Sequence, residues 1–190
     1  MTNKFDQSIN WNVKDALQGD TLNNIIDNQP KYPYGIASIN IDGELNIGMM
    51  IRTAVIFAAS DFIIVGKKKY DKRSTVGGHN YINIVKTEQQ DFLTTLTRMD
   101  MFPVLIETSG DKLLNRETFS QLFYRQSPDL KIINPCFVFG SESEGIPPSL
   151  LSSYPEDTYR IDMPGVLRSL NVSSCCAIVA HNYVQYLRSM

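Results

Sequence analysis

The sequence predicts an α/β fold: a mostly parallel sheet with helices on both faces. From Gly35 onward, apolar runs of strand length alternate with segments of helical periodicity. Such alternation is typical of parallel sheets, because each crossover helix packs on a face of the sheet. The 190 residues suit one domain, and 43% hydrophobic against 20% charged residues excludes a disordered chain.

The elements follow in a regular order. A polar N-terminal extension is expected over residues 1–34, with short helices at 13–17 and 22–26 that end before the prolines Pro30 and Pro33. The domain itself is expected over 35–190. Strands are predicted at 35–41, 62–66, 81–86, 102–107, 135–140 and 158–161. Helices are predicted at 46–59, from a Thr87-x-x-Gln90 capping box to Arg98, and at 171–188.

Charge and cysteine content limit the function classes. The net charge is −2, so any contact with nucleic acid must be local rather than driven by bulk charge. Three cysteines without a Cys-x-x-Cys spacing, and two histidines, predict buried reduced thiols and no metal site. The chain has neither a membrane-length apolar run nor the apolar core of a signal peptide, so we expect a cytoplasmic protein.

Three motifs lie where ligands bind in α/β sheets, beyond the carboxyl ends of the strands. The first is Asn46-x-Gly48-x-x-x-Arg52, in which Asn46 is placed to cap a helix and Arg52 needs an anionic partner. An Arg paired with a structural carboxylate is an equally weighted explanation of this motif.

The second motif, Gly140-Ser-Glu142-Ser-Glu-Gly145, predicts a tight loop whose backbone faces a ligand. An acidic turn that opens a short helix at Pro147 explains it as well. The chain has no dinucleotide fingerprint, and the second motif lacks the Lys of a phosphate-binding loop. The third motif, 169–173, reads Ser-Leu-Asn-Val-Ser at the start of the last predicted helix, where helix capping alone would account for one of the polar residues.

In this order, the three motifs resemble the SpoU/TrmH family of RNA ribose 2′-O-methyltransferases, within the SPOUT class. The resemblance covers about residues 35–188. It implies a sheet whose C-terminal part is threaded as a trefoil knot, a homodimer that completes the site, and S-adenosylmethionine as methyl donor, with no metal. The residues that the resemblance places at the cofactor are Ile106, Glu107, Thr108, Gly140, Ile161, Ser169 and Leu170.

The resemblance also implies how the reaction is catalysed. Arg52 matches the essential arginine of the family. Because arginine resists deprotonation, we expect it to stabilise the attacking ribose oxygen rather than to act as a base. The residues expected to position Arg52 and the substrate are Asn46, Glu142, Ser169 and Asn171, with Glu142 as the carboxylate partner of Arg52.

A basic stretch at 67–73 holds five of the eighteen Lys and Arg residues. This local charge suits phosphate contacts, although a solvated surface loop explains it equally well. The candidate RNA-binding residues are Lys69, Arg73, His79 and Tyr81. The resemblance implies tRNA as the substrate, with rRNA next, because members of the family without a separate RNA-binding domain often act on tRNA.

Two positions depart from the family pattern: Asp162 stands where proline is common, near the expected cofactor, and Ser143 replaces a frequent glycine. Two alternatives to the enzyme remain open. One is a non-catalytic RNA-binding or scaffold protein with the same fold, and the other is an unrelated nucleotide-binding oxidoreductase, which the missing fingerprint disfavours.

Overall fold

The computed structural model describes residues 31–66, 69–123, 125, 132–167 and 169–190. In these residues, alternating strands and helices form one compact unit from Tyr32 to Met190. The strands are β1 (Tyr32–Ile39), β2 (Ala59–Val65), β3 (Asn83–Thr87), β4 (Met101–Ile106), β5 (Lys112–Leu113), β6 (Asn134–Phe139) and β7 (Thr158–Arg160). The helices are α1 (Glu44–Ile56), α2 (Phe92–Arg98), α3 (Arg116–Phe123), α4 (Pro148–Ser153) and α5 (Val172–Arg188).

The strands form a seven-stranded sheet in the order β3-β2-β1-β6-β4-β7-β5, and every pairing between neighbours is parallel. The chain therefore fills one half of the sheet with β1 to β3 and then crosses β1 to build the other half. Ile36 at the centre of β1 lies opposite Phe62 of β2 and Phe137 of β6. All three side chains are buried, as expected for central parallel strands covered on both faces.

Two hydrophobic clusters lie on the opposite faces of the sheet, because successive strand residues point to opposite sides. Ile36 belongs to the cluster covered by α1, α3 and α5, and its neighbour Ala37 belongs to the cluster covered by α2 and α4. Tyr183 of α5 is completely buried among the aromatic rings of Tyr34, Phe119 and Phe137. The predicted α/β architecture with helices on both faces is confirmed.

The structure corrects several predicted boundaries. The first helix begins at Glu44 with Gly43 as its N-cap, so Asn46 lies inside the first turn and does not cap it. Thr87 ends β3, and its hydroxyl bonds to the Glu88 carbonyl and to Thr95 instead of forming a capping box. The predicted extension helices at 13–17 and 22–26 lie outside the described residues. No described helix has the length and apolar character that crossing a membrane requires.

Candidate active site

A cavity of about 620 Å³ opens at the carboxyl ends of β4, β6 and β7. This volume is within the range of small-molecule sites. All seven residues that the family resemblance placed at the cofactor line it. The cavity walls come from the residues after β4 (106–109), the loop after β6 (139–146), Ile161 and Met163 after β7, and the entry to α5 (169–172 and 175).

A hydrogen-bonded chain joins the three sequence motifs at this cavity. The amide nitrogen of Asn46, in the first turn of α1, donates to Oε1 of Glu142. Its amide oxygen accepts from Nδ2 of Asn171 at 3.2 Å. Since a side-chain amide carries one donor group and one acceptor, Asn46 bridges its two partners in a single orientation. Residues 96 and 125 positions apart in the sequence are thereby fixed side by side.

Asn171 also caps α5. Its Oδ1 accepts from the backbone N–H of Ser173 at 2.9 Å and from the Ser173 hydroxyl at 2.6 Å. The cap satisfies one of the free N–H groups at the helix start, as Asn commonly does at this position. The Asn171 side chain therefore lies where the cavity loop meets α5, and it forms hydrogen bonds both with the first turn of that helix and with Asn46.

Glu107 fixes the loop after β6 to the end of β4. Its Oε1 accepts from the backbone N–H of Thr108 at 2.8 Å, and its Oε2 accepts from the backbone N–H of Ile146 at 3.1 Å. The loop is tight here: a Cβ on Gly140 would lie 2.1 Å from the carbonyl carbon of Gly145. The Glu107 carboxylate is thus engaged by backbone donors of the chain itself.

Arg52 lies one and a half turns along α1 from Asn46, and its side chain is exposed. It makes no hydrogen bond or ion pair with any described residue. The expected pairing of Glu142 with Arg52 is not formed, and Glu142 accepts a hydrogen bond from Asn46 instead. Arg52 is also absent from the described cavity lining, whereas Glu142, Ser169 and Asn171 belong to it.

The loop that follows β2 packs against α1. A Cβ on Gly48 would lie 1.7 Å from the Ser74 hydroxyl and 2.6 Å from the Asp71 carbonyl oxygen, so this contact requires glycine. Gly78 of the same loop approaches the Cα of Arg52. The loop that makes these two contacts with α1 also carries Lys69, Arg73, His79 and Tyr81.

The four candidate RNA-binding residues differ in their surroundings. Lys69 and Arg73 are exposed, whereas His79 and Tyr81 are half-buried. Arg73 donates to the Asp71 carboxylate from Nε at 3.2 Å and from Nη2 at 3.1 Å. Hydrogen bonding by Arg73 lowers the pKa of the Asp71 carboxyl below its usual value. Much of the Arg73 charge is therefore balanced within its own loop.

Asp162 does not line the cavity. The extended backbone turns Ile161 and Met163 toward the cavity and leaves Asp162 exposed to solvent. Ser143 is also exposed, and its hydroxyl lies 3.4 Å from the Asp42 carboxylate. The sequence analysis did not predict Met163, Leu151 and Cys175 as lining residues. Met163 stands two residues after Ile161 and Cys175 one helical turn after Asn171, so spacing could have indicated these two but not Leu151. No group of three or more metal-ligating side chains occurs in the described part of the chain.

Two solved structures are similar to this chain in fold. The A. aeolicus TrmH/SpoU tRNA modifying enzyme matches with a TM-score of 0.69 and 18% identity, over 89% of this chain and 85% of that one. The AdoMet-bound rRNA methyltransferase from Sinorhizobium meliloti matches with a TM-score of 0.65 and 23% identity, over 83% of this chain and 58% of that one. At these identities the likeness concerns the fold.

A shorter match links the chain to named sequences. It is 44% identical over 48 residues to a Listeria innocua protein that is provisionally named tRNA (cytidine(34)-2′-O)-methyltransferase. This match covers 25% of the chain and 28% of the Listeria protein. The model of the SpoU rRNA Methylase family, in contrast, matches residues 34–181, which contain all three motifs. With most of its length inside that match, the chain belongs to the SpoU rRNA Methylase family.

Proposed function

We propose that the protein transfers a methyl group from S-adenosylmethionine to a ribose 2′-hydroxyl of RNA, with tRNA as the substrate. The observation that carries this proposal is the chain of hydrogen bonds Glu142–Asn46–Asn171 at the mouth of the cavity. It connects one residue from each family motif and orients them toward one place.

The cavity suits the methyl donor in size and chemistry. The side chains of Ile106, Ile161, Met163 and Leu170 offer apolar walls for an adenine ring, and Thr108 and Ser169 add hydroxyl groups. S-adenosylmethionine, when bound, supplies the electrophilic methyl group. Glu107, through its bonds to Thr108 and Ile146, keeps the two walls of the cavity at a fixed separation.

Arg52 is the residue to which we assign stabilisation of the attacking oxygen. A ribose hydroxyl is a weak nucleophile until negative charge on its oxygen is stabilised. An exposed guanidinium without a partner among the described residues is free to take an RNA anion or the developing alkoxide. In the transfer, the new carbon–oxygen bond would replace the methyl–sulfur bond of the donor, which would leave as S-adenosylhomocysteine, and the hydroxyl proton would go to solvent.

Substrate choice is supported by the relatives. The Listeria protein carries a name for methylation of cytidine 34 in tRNA, and the A. aeolicus enzyme is described as tRNA modifying. We propose that Lys69, Arg73, His79 and Tyr81 contact this RNA, since their loop packs beside Arg52.

We further propose a homodimer in which a second copy covers α1. Leu45, Met49 and Ile56 are exposed on this helix by 57%, 43% and 62%, and at helical spacing they share a face with Arg52. Val166 and Leu167 near the cavity are exposed by 93% and 82%. Isolated apolar side chains are ordinary on a surface, but a row beside a catalytic group suits an interface.

The remaining architectural proposals concern the chain path and the domain limits. We propose that the chain forms the trefoil knot of the SPOUT class where Ile161, Met163 and residues 169–172 line the cavity and Asn171 reaches Asn46. Residues 35–190 would then be the catalytic domain and residues 1–34 an extension.

Methyl transfer can be measured directly. Purified protein is incubated with S-adenosylmethionine and with total tRNA from cells that lack this gene, and the digested nucleosides are analysed by mass spectrometry. We expect one 2′-O-methylated nucleoside to accumulate, and mapping locates it in the tRNA. Absence of any ribose methylation in tRNA and rRNA, with RNA binding retained, would support the non-catalytic scaffold instead.

A further inference from the structure

We propose that Lys69, Lys72 and Lys86, with His79, form a docking surface for an RNA strand. We call these four residues the basic surface: the lysines contact phosphates, and His79 contacts a ribose hydroxyl. This inference rests on the proposed function for its RNA substrate, and it differs from the sequence prediction. It adds Lys72 and Lys86 to the RNA contacts proposed above, and it does not depend on Arg73 or Tyr81.

The positive charge of this region lies on a few lysines that form no ion pair within the described residues. Lys69 and Lys72 are exposed, and their side chains make no hydrogen bond or ion pair within the described residues. Between Lys69 and Lys86 the sequence contains four cationic side chains and a single carboxylate, Asp71. That carboxylate is occupied by Arg73 through two hydrogen bonds, so the three lysines keep their charge for an external anion.

Lys86 joins this loop although it lies on β3, the edge strand of the sheet. Its Nζ lies 5.7 Å from the centre of the Tyr70 ring, and the Tyr70 ring lies 6.1 Å from the ring of His79. A cation over an aromatic face is weakly held but oriented. Lys86 is exposed and lies beside the Tyr70 ring, which is itself a neighbour of the His79 ring.

The Thr75 hydroxyl lies between two partners, at 2.8 Å from the Lys72 carbonyl oxygen and at 2.7 Å from Nδ1 of His79. Because the carbonyl can only accept, we assign the hydroxyl hydrogen to that oxygen and the hydrogen of the His79 ring to Nδ1. Nε2 then remains as an acceptor without a partner in the described residues. A ribose 2′-hydroxyl is a donor of the right kind, and DNA lacks it.

The basic surface has a defined position relative to the reaction. Gly48 and Gly78 bring the loop into contact with α1, and Gly78 lies against the backbone of Arg52. An RNA strand whose 2′-hydroxyl is at Arg52 therefore has its neighbouring phosphates within the field of these lysines. Charge complementarity favours an RNA backbone over an apolar protein partner.

Salt dependence of binding tests the lysines. Fluorescence anisotropy with a labelled single-stranded RNA of about 20 nucleotides gives the slope of log affinity against log salt concentration. We expect Lys86→Gln and Lys72→Gln each to reduce this slope by about 0.7, the value for one phosphate contact in a single strand. Arg116→Gln, which removes a charge at the opposite edge of the sheet, is the matched control and should leave the slope unchanged.

Comparison of RNA with DNA of the same sequence tests His79. We expect His79→Phe to weaken RNA binding by about threefold to tenfold, the effect of one hydrogen bond, and to leave DNA binding unchanged. Unchanged salt slopes in the lysine variants, or equal losses for RNA and DNA in His79→Phe, overturn the docking surface. Methyl transfer to tRNA by the wild-type protein in that same case would show that the proposed function stands without it.

Discussion

Glu107 shows how one side chain can hold a binding cavity together. Its two oxygens accept backbone hydrogen bonds from Thr108 and Ile146, on opposite walls of the cavity. Hydrogen bonds to a charged acceptor contribute about 1.5–3 kcal/mol each, more than neutral ones. The family resemblance predicts Glu107 at the cofactor; in the structure Glu107 lines the cavity and also positions the loop after β6.

Replacement of Glu107 by alanine should therefore weaken cofactor binding without removing any catalytic group. We expect the S-adenosylmethionine Kd, measured by calorimetry, to rise about tenfold or more for Glu107→Ala. The Kd of Glu107→Gln should lie between those of the wild type and Glu107→Ala, because the glutamine amide keeps one acceptor oxygen. The control is Glu117→Ala, an exposed carboxylate on α3. An unchanged Kd in Glu107→Ala contradicts this assignment.

Cys175 offers a direct chemical probe of the cavity. Cys136 and Cys176 are completely buried, as predicted for the thiols, whereas Cys175 is partly exposed and lines the cavity. Burial raises the pKa of the Cys175 thiol above its ordinary value.

We expect iodoacetamide to modify one thiol rapidly, and peptide mass spectrometry should identify it as Cys175. Because the thiolate is the reactive form and its pKa is raised, the rate should continue to increase above pH about 8.5. S-adenosylmethionine should slow the reaction. Modification at the same rate with and without the cofactor would argue that the cofactor binds elsewhere.

At the scale of elements, the loop after β6 depends on two glycines. Gly145 has a φ of +68°, which favours glycine, and it packs directly against Gly140. Any side chain at Gly140 would meet the backbone of Gly145 and Ile146 at 2.1–2.3 Å. The sequence pattern indicated a tight loop but could not show which backbone contact makes it tight.

Gly140→Ala should consequently destabilise the fold by about 1–3 kcal/mol, the usual cost of overpacking, and should impair cofactor binding. Chemical denaturation measures the first effect. Gly165→Ala is the matched control, because a Cβ there has no atom within 4 Å, and its free energy of unfolding should change by less than about 0.5 kcal/mol. Equal stability of the two variants would be inconsistent with the close contact at Gly140.

The elements differ in how well their sequence specified them. Buried strands such as β4 and β6 were predicted to within a residue, because runs of five or six consecutive apolar residues leave little choice. β5 was missed because it has only two residues, whereas α3 was missed although Phe119, Leu122 and Phe123 have the spacing of one helical face. The N-cap of α1 was misplaced because Asn46 is a good capping type, yet its side chain is used for Glu142 and Asn171.

At the scale of the whole molecule, the sequence motifs identified which residues lie close together, but they did not show which of these residues form hydrogen bonds with each other. Asn46, Glu142 and Asn171 come together because β1 and β6 are neighbours in the sheet and α5 packs on α1. β1 and β6 are neighbours because the chain crosses over β1 after it has formed β3. No local sequence pattern predicts this crossing. For the same reason, the pairing of Glu142 with Asn46 in place of Arg52 could not be predicted.

Assembly can be tested through the exposed face of α1. Ile56→Asp places a charge in the proposed interface at a position that is already 62% exposed, so the monomer itself should remain folded. We expect sedimentation to give the mass of two chains for the wild type and of one chain for Ile56→Asp, with loss of methyl transfer. A wild-type protein that sediments as one chain, with full activity, would contradict the homodimer.

Arg52 is the most direct test of the central claim. The measurement is single-turnover methyl transfer to tRNA by Arg52→Ala, together with its Kd for S-adenosylmethionine. Because the side chain is exposed and outside the described cavity lining, we predict a rate loss of about 10²–10³-fold with unchanged folding and cofactor affinity. A variant that transfers methyl groups at the wild-type rate would contradict the account.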